Sequence, residues 1–86
     1  MKIENISTIP LSDLVEAKLV DFLSQIGDYY PEAFHKFIMD RAEKPLIKQV
    51  LIRTNNNQAQ TAKILGINRN TLRKKIKEYG LWIKTN

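Results

Sequence analysis

Basic side chains are concentrated near the end of the chain, and they recur at the spacing of a helix. Five lie within nine residues: Arg69, Arg73, Lys74, Lys75 and Lys77. Lysine and arginine are already protonated at neutral pH, so such a run offers the binding of anions rather than acid–base catalysis. Residues three and four positions apart share one helix face, so several of these cations can meet the same partner. The pattern indicates a surface for a polyanion.

The rest of the charge is distributed so as to strengthen this interpretation. The whole chain of 86 residues carries a formal net charge of +5. Residues 1–54 hold seven basic and eight acidic side chains, a net of −1, whereas residues 55–86 hold seven basic side chains against Glu78 alone, a net of +6. The C-terminal third is therefore the part that faces the polyanion.

Several classes of protein are disfavoured by what the sequence lacks. It has no cysteine and one histidine, His35, so neither a zinc site nor a catalytic triad can be assembled. We expect no enzyme activity, no cofactor, no metal and no small-molecule substrate. No apolar run approaches the ~18 residues that a membrane span requires, and the N-terminus does not begin a signal peptide. We expect a cytoplasmic protein with no membrane partner.

Residues 57–80 have the pattern of a helix-turn-helix that binds DNA. The pattern predicts a helix over about 58–65, a turn at Gly66, and a second helix over about 69–79 with Asn68 as its N-cap. Ala62 is small enough for two helices to cross closely. Three apolar residues fall on one face that can be buried: Ile67, Leu72 and Ile76.

An amphipathic helix is predicted after a loose lead-in at residues 1–10. Asp13 and Glu16 are spaced as a capping box, and Gly27 stands just past the expected end of the helix. Its apolar residues recur at steps of three and four: Leu11, Leu14, Val15, Leu19, Phe22, Leu23 and Ile26.

A second long helix is predicted from Pro31 to about Thr54, and Asn55 to Asn57 should end it. Pro45 lies in its middle, where we expect a kink rather than a break because the apolar pattern keeps its phase on both sides. Both long helices have more apolar positions than a small helix-turn-helix can cover. The surplus favours a partner chain that packs helix on helix.

The chain resembles a Fis-type domain over about four-fifths of its length. The resemblance rests on the run Gly66 to Arg69, on the run Thr71 to Lys75 that follows, and on the mid-helix Pro45. It implies a single all-α domain over residues 1–86 with four helices, in which residues 11–54 are dimerisation helices and residues 57–80 the helix-turn-helix. It also implies an intertwined homodimer whose recognition helices enter successive major grooves of double-stranded DNA at a palindromic site.

Site residues follow from the resemblance together with the charge pattern. In the family, DNA contacts come from the recognition helix and from the start of the preceding helix. Carried over, these residues are Asn57, Gln58, Asn68, Arg69, Thr71, Arg73 and Lys74, to which the charge pattern adds Lys75 and Lys77. The residues expected to form the dimer interface are Leu14, Leu19, Phe22, Leu23, Phe34, Phe37 and Ile38.

The residues expected to contact DNA differ in whether they bind bases or phosphates. Arg69, at the N-terminus of the recognition helix, has the planar fork that suits the O6 and N7 acceptors of guanine. Arg73, one turn later, can contact a base or a phosphate. The flexible ammonium groups of Lys74, Lys75 and Lys77 suit phosphate, which conveys little sequence information.

Two departures from the small nucleoid protein Fis affect these expectations. Ala59 stands where Fis has a hydroxyl side chain, so the family's phosphate contact at this position is not carried over. Asn70 stands where Fis has glycine, which adds a polar group to the DNA-facing helix. Asn70 to Leu72 also resembles the C-terminal domains of NtrC-type activators that work with sigma-54. Fewer than a dozen residues precede the first helix, against a longer arm in Fis.

These features favour the DNA-binding domain of such an activator, cut from a longer chain with Met1 as an artificial start. A free-standing, DNA-bending nucleoid protein is the alternative. A protein-interaction module built on the helical bundle is a third hypothesis, which leaves the C-terminal charge unexplained.

Overall fold

A computed structural model describes residues 6–81, and within that range the chain is all-α, as predicted, with no strand. A short 3-10 turn over Ile6–Thr8 precedes four helices: α1 (Leu11–Ile26), α2 (Phe34–Arg53), α3 (Gln58–Leu65) and α4 (Arg69–Tyr79). The chain divides into two compact units, residues 1–32 and residues 33–86. The predicted dimerisation segment, residues 11–54, thus contributes helices to both units.

The first unit contains α1, whose predicted capping box is wrong. The helix begins at Leu11 after Pro10, and no side chain caps it. Asp13 therefore lies inside the first turn, where its charge is favourable beside free backbone amides but where it is too late to act as the N-cap. The predicted end is confirmed, because Gly27 donates its N–H to the Leu23 carbonyl at 3.1 Å. Of the expected loose lead-in, residues 6–8 form the 3-10 turn, and residues 1–5 lie outside the described part.

None of the α1 residues is buried within the chain, although the helix is rich in apolar side chains. Leu11, Leu14 and Val15 are all exposed, and the exposed fraction of Leu14 is 61%. Leu19 and Phe22 are half-buried. The described chain thus leaves the apolar face of α1 largely in contact with solvent, which is unusual for so many apolar residues in one stripe.

The second unit begins with α2, which starts at Phe34 rather than at the predicted Pro31. The difference arises at Ala33, whose left-handed φ of 52° is incompatible with the interior of an α-helix. The helix then continues without interruption past Pro45, as expected. Proline removes one backbone hydrogen bond there, but Ile47 and Leu51, which follow it on the same helix, are almost completely buried. Their packing holds the second half of the helix in place.

The core of the second unit is formed by α2, α3, α4 and Leu81, which lies two residues after the end of α4. The expected burial of Ala62, Leu72 and Ile76 is confirmed, and Ile67 packs against them half-buried. Among residues 6–81, the buried cluster consists of Ile47, Leu51, Ala62, Leu72, Ile76 and Leu81. The second half of α2 is therefore the support on which the helix-turn-helix is built.

Both helices of the helix-turn-helix have the predicted bounds, because each ends in a Schellman motif. At Gly66 the φ is 69°, and the Ile67 N–H donates to the Ala62 carbonyl at 3.1 Å. At Gly80 the φ is 66°, and the Leu81 N–H donates to the Ile76 carbonyl at 2.9 Å. Glycine adopts this left-handed conformation without the steric cost that a Cβ imposes.

A part-buried hydrogen bond joins the residue after α2, Thr54, to Thr61 on α3. The Thr54 and Thr61 hydroxyls lie 2.7 Å apart, and Thr61 is completely inaccessible to solvent. Burying a hydroxyl is costly unless it has a partner, and here each hydroxyl supplies one for the other. Among the described residues, no buried side-chain polar atom lacks a partner. This contact links the end of α2 to α3.

Candidate nucleic-acid interface

Helix α4 has an apolar side that packs against the core and an opposite, mostly basic side that is exposed to solvent. Leu72 and Ile76 point inward and are almost completely buried. The residues left exposed to solvent include Arg69, Asn70, Thr71, Arg73, Lys74 and Lys77. Because the inward residues hold the helix in place, the exposed residues are free to meet a partner without any change in the fold.

Four of the exposed side chains form one shallow groove, which we call the basic groove. It has a volume of about 440 Å³, and its lining consists of Asn70, Arg73, Lys74 and Lys77. Three of these four side chains are cationic, and the fourth carries an amide that can donate or accept hydrogen bonds. The structure thus brings together four of the predicted contacts on one surface.

Two of the three asparagines predicted to contact DNA, Asn57 and Asn68, are also the N-caps of the two helices. Asn57 Oδ1 accepts from the Gln60 N–H at 3.0 Å, and Asn68 Oδ1 accepts from the Asn70 N–H at 2.7 Å. Capping occupies the side-chain oxygen of each residue and leaves the amide nitrogen to serve as a donor. A phosphate oxygen is an acceptor, so the two roles are compatible. Gln58, the first residue of α3, is half-buried.

The two roles of Asn57 can be separated by substitution. Asn57→Asp keeps an oxygen that caps α3, so the free energy of unfolding should stay close to that of the wild type, whereas Asn57→Ala should lower it by about 1 kcal/mol. The aspartate replaces the amide donor by a negative charge, so the affinity for duplex DNA should fall. Urea unfolding and DNA titration of both variants measure the two effects. Unchanged affinity of Asn57→Asp would show that the side chain does not face DNA.

Lys75 lies apart from the lysines with which it was grouped. Its Nζ atom is 2.7 Å from Glu43 Oε1 on α2, and only 28% of its side chain is exposed. The Tyr79 hydroxyl donates to the same Glu43 oxygen at 2.6 Å. The structure therefore separates Lys75 from Lys74 and Lys77: within the folded chain its ammonium group is paired with a carboxylate.

This ion pair has a clear electrostatic signature. The hydrogen bond from the Lys75 ammonium, and next the one from the Tyr79 hydroxyl, lower the pKa of Glu43 from its usual value. Burial, reinforced by Glu43, raises the pKa of Tyr79. Glu43 is thus ionised and Tyr79 neutral at neutral pH, the states in which one accepts and the other donates. A neighbouring pair joins Lys36 Nζ to Asp40 Oδ2 at 2.6 Å and lowers the pKa of Asp40.

Sequence reasoning missed the role of Glu43 because its partners are distant along the chain. The hydrogen bonds from Lys75 and Tyr79 span 32 and 36 residues. The only local signal is that Lys75 and Tyr79 are four residues apart and so share a side of α4. That spacing shows that the two side chains are neighbours, but it does not identify their partner on α2.

The residues expected at a dimer interface lie on α1 and on the first half of α2. Leu14 and Leu23 are exposed, and the others are half-buried: Leu19, Phe22, Phe34, Phe37 and Ile38. The Phe34 and Phe37 ring centroids lie 6.3 Å apart, and the Arg41 guanidinium covers the Phe37 ring at 3.4 Å from its centroid. All seven residues are therefore at or near the surface of the described chain.

Other kinds of site find no support in residues 6–81. No group of three or more histidine, cysteine, aspartate or glutamate residues in this range is placed to hold a metal ion. Within the same range, no helix is both long enough and apolar enough to cross a membrane.

Comparison with known proteins agrees with the geometry of the helix-turn-helix. Residues 38–79 match the family described as "Bacterial regulatory protein, Fis family". A protein from Mannheimia haemolytica named "DNA-binding protein Fis" is 42% identical over 72 residues, which cover 84% of this chain and 74% of that relative. This chain belongs to the Fis family. The Fis proteins of Aliivibrio fischeri strain MJ11 and of Vibrio cholerae serotype O1 are each 36% identical over 78 residues, 91% of this chain and 80% of the relative.

The size of these relatives helps to distinguish a domain of an NtrC-type activator from a free-standing Fis-like protein. Since 72 residues make up 74% of the Mannheimia haemolytica protein, its full length is little more than that of this chain. A relative of that size has no room for an additional ATPase module. The expectation of a domain from an NtrC-type activator is therefore unsupported by these relatives, and the alternative of a Fis-like protein fits them better.

Proposed function

We propose that this chain is a Fis-like protein that binds double-stranded DNA as a homodimer and regulates transcription at the bacterial nucleoid, in the cytoplasm. The observation that carries the proposal is the division of α4 into a buried apolar side and an exposed basic side with a groove. The names of the relatives support the same partner. A protein-interaction module would bury apolar surface but would have no use for the cations clustered on this helix.

The dimensions of α4 suit the major groove of DNA. A helix with its side chains is about 10–12 Å across, and the major groove is about 12 Å wide. In the major groove of DNA, Arg69, the first residue of α4, would contact base edges, while Arg73 would contact a base or a phosphate. Lys74 and Lys77 would bind phosphates on the walls of the groove. Neutral hydrogen bonds to the DNA backbone would come from Asn57, Gln58, Asn68, Asn70 and Thr71.

The homodimer would bury the apolar surface that one chain leaves exposed. The α1 helix has no buried residue, and exposed apolar side chains on α2 include Met39 and Leu46. A second copy of the chain would present the same apolar residues in a self-complementary arrangement. Because such a dimer has twofold symmetry, it would present two copies of α4, and its preferred site would be palindromic.

The proposal is tested by measuring DNA affinity at several salt concentrations. Each phosphate neutralised by a lysine or arginine releases counterions, so log K should fall by about 0.9 per phosphate for each unit of log salt. With two basic grooves per dimer, the total slope should be several units, and a palindromic duplex should bind more tightly than a single half-site. Absence of duplex binding at low salt would contradict the proposal. Affinity that is independent of salt would favour an uncharged mode of recognition.

A further inference from the structure

The position of Lys75 on α4 is what makes its ion pair with Glu43 consequential. Successive helical residues are turned by roughly 100°, so Lys75 lies on the flank of α4, between the buried side and the basic groove that Lys74 lines. A helix that fills the major groove has a phosphate backbone along each flank. A flexible lysine at this position would reach a phosphate if nothing else held it.

Glu43 does hold it. Lys75 Nζ and Glu43 Oε1 are 2.7 Å apart, and the exposed fractions of the two side chains are 28% and 34%. The Tyr79 hydroxyl, bound to the same oxygen at 2.6 Å, fixes the carboxylate from a second direction. The partial burial makes this pair stronger than a fully exposed one, since water screens it less. The carboxylate thus stays directed at Lys75.

We propose that Glu43 limits the affinity of this protein for DNA by keeping the Lys75 ammonium off the phosphate backbone. The inference rests on the proposed function, namely duplex binding through α4. Each protomer then uses the lysines of the basic groove and withholds one more cation on the adjacent flank. Because phosphate contacts are independent of sequence, Glu43 weakens binding to all DNA by the same factor. A dimer with this restraint leaves any DNA more readily than one that engages every lysine.

Glu43→Gln tests this inference, with a mixed-sequence duplex as the probe. Glutamine keeps an oxygen that can accept from Tyr79, but it no longer binds Lys75 as an ion. The two freed lysines of a dimer should steepen the salt slope by about 1.8, and the affinity in about 0.1 M salt should rise on the order of tenfold. Glu78→Gln is the matched control, because it removes the same charge from an exposed side chain on α4 itself.

The lysines give a second, independent comparison in the wild-type background. Lys75→Gln should leave the affinity within about twofold of wild type, whereas Lys74→Gln, which removes an equal charge from the basic groove, should reduce it several-fold with a smaller salt slope. The double variant Glu43→Gln/Lys75→Gln should lose the gain seen with Glu43→Gln alone. Thermal unfolding of each variant shows whether it is folded. If Glu43→Gln is not folded, the comparison of Lys75→Gln with Lys74→Gln tests the inference by itself.

The outcomes that overturn the inference differ from those that overturn the proposed function. If Glu43→Gln gains no more affinity than Glu78→Gln, or if Lys75→Gln loses as much as Lys74→Gln, then Glu43 does not restrain Lys75 and duplex binding still stands. If the wild-type protein binds no duplex at low salt, the proposed function fails and the inference fails with it.

Discussion

Leu14→Glu should convert the protein to a monomer and weaken its binding to a palindromic duplex by about 100-fold or more. Leu14 is 61% exposed within one chain, so a glutamate costs a single protomer little. In the proposed dimer the same side chain is buried against the partner, where an unpaired carboxylate is strongly destabilising. Loss of the second half-site contact removes the avidity of two linked binding surfaces. Sedimentation at micromolar concentration and DNA titration measure the two effects.

Ile64→Glu is the matched control for this experiment. Ile64 is exposed to a similar extent, 58%, but it lies on α3, outside the proposed dimer surface. The Ile64→Glu variant should therefore have the same sedimentation coefficient as the wild-type protein. Leu14 is a sharper test site than Phe37, because Phe37 packs against Phe34 and Arg41 in its own chain. A wild-type protein that sediments as a folded monomer at micromolar concentration would contradict the dimer outright.

Arg69→Ala should cost about 1–3 kcal/mol of binding free energy at the preferred site and relax the base preference at one position in each half-site. The reason is geometric: Arg69 is exposed at the first position of α4, where a recognition helix points deepest into the groove. Titrating the variant with the preferred duplex, obtained by selection with the wild-type protein, and with a scrambled duplex measures the change in specificity.

Lys77→Ala supplies the comparison for Arg69→Ala. Lys77 lines the basic groove, and its loss should weaken binding to both duplexes by the same factor and reduce the salt slope. If Arg69→Ala behaves in the same way, Arg69 is a further phosphate contact, and the base-reading residue must be sought elsewhere on α4, with Arg73 as the next candidate.

The helix-turn-helix was predictable to the residue because its signals are local. Asn57 and Asn68 are good caps that need only the backbone of the next turn, and Gly66 and Gly80 supply the left-handed conformation that ends each helix. The buried side of α4 followed from apolar spacing alone. In each case the residue that determines the structure lies within a few positions of the structure that it determines.

The features that were missed depend on distant or competing contacts. The capping box at Asp13 failed because α1 begins earlier, at Leu11, and the start of α2 was displaced by the left-handed Ala33. The ion pair of Lys75 was missed because its partner Glu43 lies 32 residues away. A pattern of charges along one helix shows how many cations are present, but not which of them are already neutralised by another helix.

The separation of packing and charge on α4 has an evolutionary consequence. The residues that fold this helix are its caps and the inward Leu72 and Ile76, whereas the basic groove consists of exposed side chains that support no core. Substitutions at exposed positions of this kind usually change stability by no more than about 0.5 kcal/mol. The DNA sequence preferred by a descendant of this protein can therefore change, or be redesigned, through exposed residues of α4 such as Arg69 and Arg73, while the buried residues beneath them stay the same.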